Sequence, residues 1–329
     1  MRILEPAARP LAEALALAPA LLALASGGDA VITASLVAGP AVVLGALQRA
    51  GRVVDLAACA TAGTAVLRRC TTGTAVSIGQ HAIVWTLALP HVAALHPDAT
   101  PRTLLNRNVR GFLAGLSRGG APARYFGREW IAIDHRPAAL LGFEALADGR
   151  IVIEVFAGLD ATIALPRELC AGEERAVDRW RGKEPLALGG GDAAALARRV
   201  IEAVAARAGD RRDRAAPPID PDLDLDLDLD LDLDLGAPIT DPRDPAPAGL
   251  AIAASSRAPI GWIDTAVDVA AKTLWIGGDA LVASFAVRAL ADAIARGQAP
   301  APGDAPIGGA SWNDLADAGR AALAGSAGA

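Results

Sequence analysis

Apolar and polar positions change period several times along the chain, and each change marks an element. Residues 10–26 place Leu11, Leu15, Leu17, Leu21, Leu22 and Leu24 at helical spacing, which predicts a core-facing helix closed by a turn at Gly27-Gly28. Short β-rich runs follow at 30–36, 40–44 and 65–67, with a loop and short helix between the second and third. The apolar run 81–90 reads as a buried strand. Residues 103–119 return to helical spacing, with Leu104, Leu105, Val109, Phe112, Leu113 and Leu116 on one face. Strands are expected at 129–133 and 150–156 around a segment at 138–143. Residues 166–181 read as helical, and 193–208 as an amphipathic helix. Strands and helices mixed without regular βαβ alternation predict an α+β domain over residues 1–210, a mixed and mainly antiparallel sheet with flanking helices.

The pattern breaks at residues 211–249. A charged stretch leads into a proline-rich one, and then Asp and Leu alternate from Asp222 to Leu235. Alternation is formally a strand signal, but seven aspartates on one edge repel and seven leucines make a small apolar face. A dipeptide repeat between prolines is therefore read as a disordered linker, with an edge strand or a partner-binding segment as the alternative. A small α+β unit is expected over 250–298, with strands at 262–264 and 272–276 and a helix at 280–296. The tail 299–329 reads as flexible, with one weak helix near 313–324.

Composition changes the picture in three respects. Basic residues are almost all arginine: Lys183 and Lys272 are the only lysines in 329 residues. The net charge of −6 argues against a nucleic-acid partner, since no basic excess exists to displace counterions. Cys59, Cys70 and Cys170 are odd in number and widely spaced, and four histidines lie apart, so neither a disulfide framework nor a structural metal is expected. Glu5, Glu13 and Pro19 interrupt the apolar N-terminal run, and no stretch reaches the roughly 18 apolar residues a membrane span needs. A cytoplasmic location, with no membrane partner, is the expectation.

The most informative stretch is 41–90. It contains Val42-Val43-Leu44-Gly45 and Gln48, then Arg68, Arg69, Thr71, Gly73, Ala75 and Val76. Small residues let a backbone approach a ligand, whose carboxylate or phosphate oxygens its N–H groups can bind. An adjacent arginine adds a charge-assisted contact. The alternative is a tight hairpin between core strands. In order and spacing the two segments resemble the lipoate-protein ligase and octanoyltransferase family (biotin/lipoate protein ligases), whose pattern is roughly V-V-x-G-x-x-Q followed by R-R-x-[ST]-G-G-G-A-V. The resemblance implies that Arg68, Arg69, Thr71, Thr72, Gly73, Thr74, Ala75 and Val76 form the ligand-binding turn. It also implies a lipoate or octanoyl group as acyl cofactor, ATP with Mg if the chain is a ligase, and a lipoyl-carrier domain or acyl carrier protein as partner. Residues 261–294 resemble the family's accessory unit, with Lys272, Gly278 and Asp279 in place.

The chain departs from that pattern where the family does its chemistry. The family's active-site lysine, in a K-x-x-G setting, would fall on Ala139, and no lysine precedes residue 183. The triple glycine is reduced to Thr72-Gly73-Thr74, and Ser77-Ile78 runs straight into Gly79-Gln80 where the family has a histidine. Arg136 is a candidate replacement cation, although a guanidinium is not equivalent to an ammonium as a point donor. Cys70 and Cys170 are candidate thioester nucleophiles, and His135 beside Asp134 a candidate base pair. Three readings follow. The first is a lipoate-protein ligase or octanoyl/lipoyl transferase acting on a carrier lysine. The second is a non-catalytic binding or regulatory relative that lost the lysine. The third is an unrelated α+β domain, in which residues 68–76 border no cleft.

Overall fold

The computed structural model describes residues 1–117, 120–127, 129–208, 237–247, 249–259, 261–268, 270–298, 307–308 and 310–326. In chain order the first part comprises β1 (Arg2–Ile3), β2 (Ala7–Ala8), α1 (Leu11–Ala25), β3 (Val31–Val37), β4 (Ala41–Leu44), α2 (Ala50–Val53), α3 (Leu56–Thr61), β5 (Ala65–Arg68), β6 (Val76–Ile78) and β7 (Ala82–Leu89). Then come α4 (Leu104–Asn108), α5 (Arg110–Leu116), β8 (Ala123–Tyr125), β9 (Trp130–Ile133), β10 (Arg136–Ala145), β11 (Ile151–Gly158) and α6 (Ala193–Ala205). The last part holds β12 (Ala251–Ala258), β13 (Gly261–Asp268), β14 (Thr273–Gly278), β15 (Leu281–Val282), α7 (Ser284–Ala295), β16 (Ile307–Gly308) and α8 (Trp312–Ser326).

The main sheet runs β1-β3-β7-β11-β10-β9-β8, with β2 also on β3, and is antiparallel apart from β1 and β2. Its central strands are almost wholly buried and mainly apolar because both faces are covered, with Thr86 and Glu154 among the polar exceptions. Along β7, Ile83, Trp85, Leu87 and Leu89 join the core beneath α5 and α6, while Val84 and Ala88 point to the side closed by α1 and a second sheet. Helices α5 and α6 approach closely at Gly111 and Gly115, where any Cβ would stand 2.5 Å from the Cα of Val204 and Val200. The second sheet, β5-β4-β6, carries the Gly-rich segment as its β5–β6 connection. The mixed α+β architecture expected from periodicity is present.

Three segments differ from the periodic expectation. Residues 166–181 form two single 3-10 turns, Arg167–Leu169 and Glu174–Ala176, rather than a helix. There the backbone bonds sideways instead, Asp55 N to Leu169 O and Ala171 N to Val53 O, which spends the groups a helix would use. Helix α7 begins at Ser284 because 281–282 are extended in β15. At the C-terminal end, α8 buries Leu315, Ala316 and Ala322 against β13, β14 and α7, so this part of the 299–329 tail belongs to the small unit. The Asp-Leu repeat lies outside the described residues. The adjoining residues 237–247 pack on the first domain, with Ile239 N donating to Val66 O.

Candidate functional site

Strands β4 and β5 run parallel and end side by side at Leu44 and Arg68, so Gly45 and the 69–75 turn emerge at the same edge. They meet closely: a Cβ on Gly45 would lie 2.0 Å from Gly73 O, and Gly73 itself has φ of +104°. Glycine is required at both, one for approach and one for backbone conformation.

The two arginines point into the protein. Arg69 is fully buried, and its guanidinium donates to the carbonyls of Val43 (3.4 Å), Thr72 (3.3 Å) and Thr74 (2.7 Å), over the Phe156 ring. Burial lowers its pKa to about 10, with Glu154 opposing. Arg69 therefore braces the turn from within. Arg68, 2% exposed, donates to Gly45 O (2.6 Å) and Ala46 O (3.2 Å) and pairs with Asp244 of the 237–247 segment.

The outer side of the turn is covered by the C-terminal unit. Thr72 Oγ1 donates to Phe143 O or Val282 O and accepts from Val282 N at 3.0 Å. A Cβ on Gly73 would come within 2.7 Å of Leu281 Cδ2 and 3.2 Å of Leu141 O. Thr71 Oγ1 donates to Glu154, whose carboxyl burial lifts to about 7. Thr74 is buried, its hydroxyl without a partner, and Ala75 and Val76 lie in the cores of the second sheet.

The same unit is latched at two further points. Gln48 Oε1 accepts from Gly45 N, and its Nε2 donates to Asp279, which also accepts from Trp262 N and Arg179. Glu144, at the end of β10, accepts from Ser284 N (2.8 Å) and Ser284 Oγ (2.5 Å), capping α7. Burial raises the Glu144 carboxyl to about 7, against those hydrogen bonds. Periodicity gave no sign of these latches, because Glu144 and Ser284 are 140 residues apart.

The candidate chemical residues do not gather there. Arg136 sits at the β9–β10 hairpin, donating to Glu184 O and Pro185 O. Phe143, which bridges Thr72, lies seven residue steps further along β10, or about 23 Å of extended chain. Cys70 is buried with Ala18, Leu22 and Val152, and burial pushes its thiol well up. Cys170 is 7% exposed, donates to Pro166 O at 3.4 Å, and is raised to about 11 by burial and Glu174. Asp134 and His135 occupy left-handed positions in the exposed hairpin turn. Ala139 lies fully buried in the main core. Lys183 donates to His135 O at the exposed hairpin, and Lys272 lies in the exposed β13–β14 turn.

The turn as built does not fit an anionic acyl or phosphate group, since the terminal nitrogens of Arg69 go to carbonyls, with its Nε buried and unpartnered, Arg68 goes to carbonyls and Asp244, and Gly73 faces Leu281. Among the described residues no three His, Cys, Asp or Glu side chains gather as a metal site, and no helix is long and apolar enough to cross a membrane.

No family model matches the sequence, and no curated protein matches it. Solved structures do match in fold. A bi-partite lipoate protein ligase from Thermoplasma acidophilum, studied with its E2 lipoyl domain, superposes with a TM-score of 0.54 at 13% identity, over 68% of this chain and 91% of that one. A lipoate-protein ligase A bound with ATP gives 0.52 at 14% identity, over 68% and 91%. A putative lipoate protein ligase from T. acidophilum with bound lipoic acid gives 0.50 at 14%, over 67% and 92%. The chain has the lipoate-protein ligase fold.

Proposed function

We propose that this chain, built on the lipoate-protein ligase fold, is a non-catalytic relative: a binding or regulatory protein whose C-terminal unit occupies the Gly-rich turn. The observation that carries the reading is the seating of Leu281 and Val282 on Thr72 and Gly73. An acyl or phosphoryl group would need the backbone that Leu281 covers. Acyl transfer would also need a cation or nucleophile facing the turn, and the candidates lie elsewhere. Arg136 is about 23 Å along the strand, and Cys70 is sealed in an apolar cluster as a protonated thiol. The ligase reading, in which a lipoyl or octanoyl group is attached to a carrier lysine with or without ATP, has the fold in its support and not the residues. Since one neighbour was studied with its E2 lipoyl domain, a lipoyl-carrier domain is the partner class this reading retains.

The test is intact-mass analysis of a lipoyl domain incubated with the full chain. One arm supplies lipoate, ATP and Mg, the other an octanoyl carrier protein. The expected result is an unmodified domain in both arms. Multiple-turnover addition of an octanoyl or lipoyl mass in either arm would overturn the proposal.

A further inference from the structure

Where the first domain meets the C-terminal unit, α2 faces the β12–β13 hairpin across an open groove of about 430 Å³. It lies apart from the Gly-rich turn. Arg49 and Arg52 line one side, Ile252, Ser255 and Trp262 the other, and Glu173 reaches in from the 3-10 region. Arg52 is 5% exposed and held from the C-terminal side: Asp264 accepts from its Nε at 3.3 Å and Nη2 at 3.2 Å, and Ser255 Oγ also accepts from Nη2. Its guanidinium lies 4.4 Å over the Trp262 ring, and Arg257 lies 5.3 Å from the same ring.

Donors outnumber acceptors in this groove. The Arg49 side chain has neither a hydrogen bond nor an ion pair among the described residues, although Asp264 attracts its charge. Trp262 Nε1 is buried with no acceptor. Arg52 Nη1 is met only by the carboxylate of Glu173, whose side chain is 65% exposed. An ion pair so open to water is cheap to break, whereas a buried donor left without an acceptor is costly. The groove thus holds one loosely tethered carboxylate where its donors converge.

We infer that this groove binds a phosphate group, with Arg49, Arg52 and Trp262 Nε1 donating to its oxygens and Glu173 swinging out to make room. Donors on opposing walls suit a tetrahedral oxyanion better than a flat carboxylate, which presents its two oxygens in one plane. Charge agrees: with Glu173 displaced, the lining guanidiniums of Arg49 and Arg52 outnumber the buried carboxylate of Asp264. The positive charge left over attracts a phosphate, which carries about −1.5 to −2 at neutral pH. Because α2 and the hairpin belong to different units, the phosphate would also tie those units together.

The test is calorimetric titration of the full chain at low ionic strength with inorganic phosphate, and in a second arm with AMP. Saturable one-site binding is expected. Arg49→Gln should weaken it by about tenfold or more, since a charge-assisted contact is removed. The Arg49 side chain has no other hydrogen-bond partner among the described residues, so the melting temperature without phosphate should change little. Glu173→Gln, which removes the competing charge, should tighten binding several-fold and serves as the independent check. Equal affinity for both probes would mean that the phosphate alone is read, and tighter AMP binding that a nucleotide carries it. No binding of either probe to wild type and Glu173→Gln, or undiminished binding by Arg49→Gln, would overturn the inference.

Discussion

At the scale of single residues, side chains that look like ligand-binding chemistry in the sequence serve packing in the fold. Arg69 shows the distinction: its donors go to the carbonyls of the very turn a ligand would use. Replacing it with Met should therefore cost stability, at least about 3 kcal/mol, because three buried carbonyls lose a charged donor. Urea denaturation would measure this, and a loss below about 1 kcal/mol would show that the guanidinium is not the brace described. The cysteines give a second check. With Cys59 and Cys70 buried and all three thiols raised by burial, none should react with a thiol reagent at pH 8 in the native state, and all three should react in denaturant. Fast native labelling of Cys70 would revive it as a nucleophile.

Two buried carboxyls make stability depend on pH. Glu144 and Glu154 both stand at about 7 in the fold, above the ordinary value of 4.5, because burial disfavours their charged form. Between 4.5 and 7 the native state holds protons that the unfolded chain releases. Their contribution is thus full below about 4.5 and is lost as pH rises through about 7. Urea midpoints should fall from pH 5 to pH 7.5, and Glu154→Gln should flatten the slope. A midpoint that rises over this interval would contradict the burial of these groups.

At the scale of elements, the decisive contacts join segments far apart in the chain. β15 lies on the Gly-rich turn, and residues 237–247 hold Arg68 through Asp244, 176 positions away. Periodicity reads only local order, so it found the longer strands and helices of the first domain but not the short β1, β2, β6 and β8, and none of these pairings. The same limit explains residues 166–181, where sideways bonding to 53–55 displaced the expected helix. Gly73 tests the β15 contact. Gly73→Ala meets both a left-handed φ and Leu281, and should destabilise by about 1–3 kcal/mol. If Leu281→Ala recovers none of that loss in the double variant, the leucine is not seated on the turn.

At the scale of the whole molecule, the fold was legible in two short motifs because they record backbone needs: a glycine for close approach, a glycine at positive φ, a glutamine bonded to its own turn. Such needs persist when chemistry changes. The site was less legible because an arginine's letter does not say what it pairs with. Arg68 and Arg69 match the family pattern, yet their partners are Asp244 and main-chain carbonyls.

The central claim is that the C-terminal unit closes the Gly-rich turn. Native-state hydrogen exchange reads it most directly, at the amides of Thr72 and Val282, which donate to Phe143 O and Thr72 Oγ1. Slow exchange is expected at both, by opening near the global unfolding free energy, with no change on adding lipoate with ATP and Mg. Fast exchange at both that those ligands suppress would show the turn open and receptive, and would contradict the account.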